Sequence, residues 1–301
     1  MRTLDAAAGP SRARSARFGQ RAYRLWRNKL ALGALATLAV IITAALCADR
    51  IAPFDPAEGN IVDRLRPPAW HPGDGQRHLL GTDQIGRDVL SRLIYSARIS
   101  LLVGIAGTAI SLLAGTALGL CAGFWGGTID RALLRITDIH LAFPFIALAV
   151  VVISVTGPGL FNVIIVLAAT GWVLYARVVR EEVLRAREQS YVEAARAIGG
   201  RDLRIMIRHI VPNIVAPVIV ISSFAIAQMI ITEASLSFLG LGIRPPTPTW
   251  GGMLSDARNY MQVAWWLPTC PGVALLVSLL AINLVGDWLR DTLDPTLRDA
   301  E

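Results

Sequence analysis

The chain has 301 residues, of which 54% are hydrophobic and only 17% charged, with a mean hydropathy of +0.52. That is too apolar for an ordinary soluble domain of this length and places the chain in a membrane. The formal charge of +7 does not point to nucleic acid, because the basic residues cluster beside apolar runs, as orientation signals do.

Residues 1–29 carry Arg2, Arg12, Arg14, Arg17, Arg21, Arg24, Arg27 and Lys29 against the single acid Asp5 and read as a basic tail held in the cytoplasm. The apolar run 30–48 is long enough to cross a hydrocarbon core of roughly 30 Å as a helix. A cleaved signal peptide is the competing reading, but no small-x-small site precedes Asp49 and Leu46 stands before Cys47, so the first span is read as uncleaved. Residues 49–98 turn polar, with Pro53, Pro56, Pro67, Pro68 and Pro72, and form an external segment. Within it Gly81-Thr82-Asp83 supplies a turn and cap. Val89, Leu90, Leu93, Ile94 and Ala97 then predict an amphipathic helix lying on the outer surface.

A second span covers 99–122, with Gly115, Gly119 and Gly123 at four-residue steps that would let a neighbouring helix approach closely. A short inner loop, 124–135, leads to a third span ending near Thr156. Gly157-Pro158-Gly159 reverses the chain, and the fourth span is 160–178. A charged passage, 179–211, precedes a fifth span over 213–233. Pro245, Pro246 and Pro248 then enforce an extended outer loop. The sixth span is 266–288, and 289–301 is a short cytoplasmic tail. The spans make 99–288 the membrane core. The basic blocks before the first span and after the fourth are separated by four crossings and therefore share a side, to which two more crossings return the C-terminus.

The charged passage is the handle of the chain. Residues 177–197 alternate Arg and Glu among good helix formers, Gly199-Gly200 breaks the helix, and a second helix over 201–209 runs toward Pro212 with Leu203, Ile207 and Ile210 on one face. Glu193-Ala194-Ala195 followed by Gly199 and Pro212 resembles the EAA loop of ABC-transporter import permeases. The family usually has Ile and Leu where this chain has His209 and Val211, but RHIVPN is similar to the dipeptide/oligopeptide/nickel branch and its C-type permease subunit. GTDQIGRDVLSRLIYSARISL (81–101), EASLSFLGLGIRPPTPTWGGML (233–254) and NLVGDWLRDTLDP (283–295) resemble the same branch. The resemblance implies an all-α polytopic protein of six transmembrane helices, the fold of a type I importer permease in a bacterial inner membrane. It also implies that Glu193, Ala194, Ala195, Arg196, Ala197, Ile198 and Gly199 dock into a cleft on a separate ATPase. Further partners that it implies are a second homologous permease, two ATP-binding subunits carrying ATP and Mg, an external substrate-binding protein and membrane lipid. Arg187, on the adjoining helix, falls outside that expected dock.

Little else offers chemistry. Cys47, Cys121 and Cys270 lie far apart, and the single lysine, Lys29, follows no glycine-rich loop, so neither a zinc site nor a P-loop is indicated and no cofactor is expected on this chain. His71 and His78 share the outer loop, where a solvated role is preferred to a metal-ligand role. Asp138 and His140 begin the third span, and Glu233 and Asp287 end the fifth and sixth, where each either caps or snorkels at an interface or serves transport. Gln228, Thr232 and Ser235 fall on one side of the fifth span and either line a solute path or make ordinary interhelical hydrogen bonds. The reading is a non-catalytic permease subunit of an ATP-driven peptide importer. An ion-gradient transporter would call for paired intramembrane carboxylates and inverted repeats. A membrane scaffold or receptor that transports nothing is the reading from another class.

Overall fold

A computed structural model describes residues 28–70 and 78–293, so the basic tail up to residue 27, His71 and the last eight residues lie outside it. The described residues are built from helices and contain no strand, only the isolated bridges Gly59 to Arg87 and Thr82 to Asp88.

Helix α1, Lys29–Leu46, starts where the Asn28 side chain accepts a hydrogen bond from the Ala31 N–H at 3.1 Å. A corner at Cys47 leads to the single turn α2, Ala48–Ile51. The irregular segment that follows ends at Asp88, whose carboxylate accepts from Ser91 N at 2.7 Å and so caps α3, Val89–Trp125. This is where the expected surface helix gives way. No Gly or Pro interrupts the chain between the cap and the second span, so the amphipathic stretch is the first part of one 37-residue helix. Of its apolar face Val89 and Ala97 are buried in the protein and Leu90, Leu93 and Ile94 are half-buried.

Gly126 and Gly127, at φ +66° and +59°, turn the chain into α4, Gly127–Ala142, where a loop was expected. Pro144 then ends α4. Its ring drives Phe143 to extended geometry (φ −91°, ψ 130°), and α5, Phe145–Thr156, leaves at 85° to α4. The third span is thus broken. Among the described residues, five helices are long and apolar enough to cross a membrane, six if the bent pair is one span.

Helix α6, Leu160–Arg187, packs along α3. A Cβ on Gly119 would stand 2.6 Å from Ala176 O and one on Gly123 would stand 2.8 Å from Val183 Cβ, while Gly115 faces the Trp172 carbonyl. The glycine stripe is therefore what brings the two backbones together. Two short helices, α7 (Ser190–Ala197) and α8 (Asp202–Ile205), lead through a π turn, Met206–Ile210, into α9, Val211–Phe238. Pro212 sits in the first turn of α9, directly after the π turn. The proline-rich outer loop is not extended throughout. Thr249 accepts from Gly252 N at 3.0 Å and caps α10, Trp250–Ala257, before α11, Trp266–Leu293.

The far end of the bundle from α7 is fastened by buried ions. Asp83 pairs with Arg92 and, at 2.6 Å, with Arg87, and Arg92 reaches Asp256 on α10 at 3.0 Å. His78 is not solvated as expected. It lies against Asp88 at 2.9 Å and under the Phe54 ring, with centroids 4.6 Å apart. Trp250 is buried beside this network and donates from Nε1 to Leu93 O at 3.2 Å.

Candidate functional site: the α7 handle and the α9 face

The expected single helix over 177–197 breaks at Gln189, whose backbone is extended (φ −82°, ψ 142°). The turn allows α7 to fold back and bury Val192 and Ala195 against Val183, Ala186, Ile205, Met206 and Ile210. These two positions are three apart and so share a face. The opposite face of the handle, Glu193, Ala194, Arg196, Ala197, Ile198 and Gly199, is exposed, and Ile198 is 87% exposed. Ala195 is therefore a correction: it belongs to the interior and does not lie on the presented surface.

Gly199 and Gly200 close α7 in a Schellman motif. Gly199 N–H donates to Arg196 O at 2.9 Å and Gly200 N–H to Ala195 O at 3.0 Å, while Gly199 takes φ +80°. A Cβ at Gly199 would meet nothing within 4 Å, so only the backbone angle calls for glycine there. The guanidinium of Arg196 lies 5.5 Å over the Phe124 ring, which ties the handle to the end of α3.

Below the bend, Leu203 and Ile207 are exposed whereas Ile210 is fully buried, so the three do not share the face expected of them. The π turn supplies the reason, because one extra residue rotates Ile210 away from the line of the other two. Ile198, Gly199, Arg204, Arg208 and His209 surround a cavity of about 300 Å³ at the elbow. Exposed apolar side chains beside an acid and several arginines give a surface suited to a protein partner. Arg187 is not a bystander, since its Nη1 donates to Gly123 O and Phe124 O at 3.4 and 3.3 Å and satisfies the last carbonyls of α3.

The second candidate region is the free face of α9. Gln228 and Ser235 are exposed and Thr232 partly so, while Ile230 opposite is fully buried. Their hydroxyls bond within their own helix, Thr232 Oγ1 to Gln228 O at 2.6 Å and Ser235 Oγ to Ile231 O at 2.9 Å. Among the described residues they bond to no other helix, so within this chain they do not serve as interhelical glue. Toward the α7 end the same face opens into a cleft of about 690 Å³ among Arg185, Pro217, Phe224 and Arg290.

Of the four ionisable positions near span ends, Asp287 is exposed and Asp138 pairs with Arg177 at 2.6 Å. His140 stands edge-on to Trp172 at 5.9 Å. Glu233 is a correction. It does not snorkel but is fully buried in the protein, accepting from Ser237 Oγ at 2.6 Å close to the cap of α10. Sequence reasoning also missed the buried Asp83, Arg87 and Arg92 network. The alternation of acids and arginines in TDQIGRDVLSR was its one visible signal.

The model of the family described as binding-protein-dependent transport system inner membrane component matches residues 115–299, and that of the N-terminal TM domain of oligopeptide transport permease C matches residues 17–68. The chain is 46% identical over 273 residues to a di/tripeptide transport system permease protein of Pseudomonas aeruginosa, covering 91% of this chain and 90% of the relative. It is 43% identical over 272 residues to a dipeptide transport system permease protein of Haemophilus influenzae, covering 90% and 92%. A glutathione transport system permease protein of Pectobacterium atrosepticum is 40% identical over 275 residues, covering 91% and 90%. Among solved structures, an inward-facing MetNI methionine ABC transporter chain superposes with a TM-score of 0.54 at 17% identity, covering 67% of this chain and 96% of that one, which shows a shared fold.

Proposed function

Since the chain belongs to the family of binding-protein-dependent transport system inner membrane components, we propose that it is the permease subunit through which an ATP-driven importer of dipeptides or short oligopeptides passes its cargo inward. It is a multi-pass inner-membrane protein. Its partners in this reading are a second homologous permease, two ATP-binding subunits and an external substrate-binding protein. ATP and Mg are held by the ATPases, and this chain performs no catalysis. Both termini face the cytoplasm, which puts α7 on the side of the ATPases.

The observation that carries the reading is the handle itself. A short helix is anchored on one side by Val192 and Ala195, closed by a glycine cap at Gly199 and exposed on the other side from Glu193 to Ile198. Seated in an ATPase cleft, such a helix transmits movement without sliding, because its inner face is already packed into the bundle. Glu193 offers a carboxylate for charge-assisted hydrogen bonds, and Ala194 and Ala197 allow close approach. ATP binding and pathway state are then linked reciprocally, each shifting the other. The exposed polar face of α9, with Gln228, Thr232 and Ser235, lines the path between the two permeases, where water and solute meet the groups that lipid would not.

The test uses the complete complex in proteoliposomes. Glu193→Lys reverses the charge of the dock, and Gly199→Val forces a β-branched residue to positive φ. Both are expected to insert and assemble but to lose peptide uptake and binding-protein-stimulated ATP hydrolysis. Uptake and stimulation at wild-type levels in both assembled variants would overturn the assignment.

A further inference from the structure

We propose that Asp130 and Arg180, seconded by Asp138 and Arg177, are positioning residues that yoke α4 to the stem of the coupling helix, so that the broken third span is the element that the coupling movement drives. The proposal rests on the coupling reading of α7 and adds the route by which movement enters the membrane.

Apolar packing alone does little to hold α4. Of its 16 residues only Leu133 and Thr137 are buried. Helix α5 beyond the bend is held differently, through Ala149 and Ile153 packed among Val163, Val166 and Leu167 of α6. Leu133 against Ala176 and Trp172, and His140 edge-on to Trp172, are the apolar and aromatic contacts of α4 with α6, and ion pairs supply the directional link. Arg180 grips Asp130 with both arms of its fork, Nε to Oδ1 and Nη2 to Oδ2 at 2.6 Å, and the two side chains are only 19% and 18% exposed. A bidentate pair of this kind is directional as well as attractive, and partial burial spares it much of the screening that weakens surface pairs. Nearer the bend, Arg177 donates to Asp138 at 2.6 Å and to Thr137 Oγ1 at 3.2 Å.

The stem that carries these arginines runs directly to α7. Further along it Arg187 holds the final carbonyls of α3, and Arg196 of α7 covers Phe124. The end of α3, the end of α6 and α7 are thereby one body, and the fork of Arg180 adds α4 to it. Both ends of α4 are breaks in the backbone. Gly126 and Gly127 lie at positive φ before it, and the 85° bend at Phe143-Pro144 follows it. A straight rod between two breaks, fixed by ion pairs to the part that the ATPase would move, is suited to travel with that part.

The test compares Asp130→Asn, Arg180→Gln and the exchange Asp130→Arg with Arg180→Asp in the reconstituted complex, scoring assembly, ATP hydrolysis and peptide uptake. The single variants are expected to assemble and to hydrolyse ATP at the wild-type basal rate while uptake falls roughly tenfold, so that ATP consumed per peptide rises by the same factor. The exchange should restore most of the uptake, which a loss of general stability would not permit. Spin labels at the exposed positions Thr128 and Ser190, the latter at the start of α7 and outside the dock, should keep one distance with and without ATP in the otherwise unaltered protein, and that distance should broaden in Asp130→Asn. Wild-type uptake in the single variants, an exchange as inactive as they are, or a distance that changes with ATP overturns the yoke. Should a single variant not assemble, the spin-label distance in the otherwise unaltered protein decides. Glu193→Lys and Gly199→Val run alongside. If those are silent the coupling reading itself has failed, whereas if they abolish uptake and Asp130→Asn does not, only the yoke has.

Discussion

Adding one methyl group to Gly119 should pry α3 from α6. The new Cβ would stand 2.6 Å from Ala176 O, 3.0 Å from Val179 Cβ and 3.1 Å from Arg180 N, and two of those three atoms are backbone that cannot rotate aside. Ordinary contact begins at about 3.5 Å, so the helices must part by roughly 1 Å along the line of the stripe. Overpacking of this kind costs about 1–3 kcal/mol, against which the substitution of Ala for Gly in a helix returns about 0.5–1 kcal/mol. The net expectation for Gly119→Ala is a loss of up to about 2.5 kcal/mol, nearer the upper end because two of the three contacts are backbone. Gly272→Ala on α11 is the control, because a Cβ there meets nothing within 4 Å and only the helix gain remains. Heating the detergent-solubilised complex and following the surviving peak by fluorescence-detected size exclusion should place the Gly119→Ala midpoint below wild type and that of Gly272→Ala at or above it. Equal midpoints for the two variants would refute close backbone approach through the glycine stripe.

Arg187→Ala removes the donor that satisfies the α3 terminus and should lower the same midpoint by about 1 kcal/mol-equivalent, as well as reduce uptake; a silent variant would mean that the cap contributes nothing. Cysteines at Gln228, Thr232 and Ser235, in a background lacking Cys47, Cys121 and Cys270, should react with a small water-soluble thiol reagent while those at Ile226 and Ile230 should not, and the reverse pattern would put the path on the other face of α9. Trp250→Ala empties a site that is 2% exposed and should destabilise the complex by about 3–5 kcal/mol, measured by the same heating assay, with an unchanged midpoint counting against α10 as an integral part of the bundle.

The membrane spans were legible in the sequence because apolar length is a direct consequence of bilayer thickness, and the glycine spacing disclosed the close approach of α3 and α6. Gly199 was legible for a similar reason, since a glycine after a helical run marks a cap. Ala195 was misplaced because the Glu-Ala-Ala pattern does not say which alanine faces the bundle. That depended on the break at Gln189, which carries neither Gly nor Pro. The rotation of Ile210 followed from a π turn that helical periodicity cannot foresee. Glu233 lay at the end of an apolar run and read as an interfacial acid, but α9 continues to Phe238 and α10 covers it, a tertiary contact that local pattern does not contain. The corner at Gly126-Gly127 was overlooked for the opposite reason, because a charged stretch rich in Arg and Asp looked like loop when its ions were in fact holding a helix.

The central claim, that α7 presents one face to an ATPase while keeping the other in the bundle, is tested most directly by single-cysteine cross-linking along the handle. Cysteines would be placed one at a time from Val192 to Ile198 in the background lacking Cys47, Cys121 and Cys270, and treated with a short thiol-to-amine reagent in the assembled complex. The account predicts adducts to the ATPase subunit from positions 193, 194, 196, 197 and 198 and none from Val192 or Ala195, which are packed inside. Adducts from Val192 and Ala195 in a folded complex, or none from the exposed positions, would contradict it.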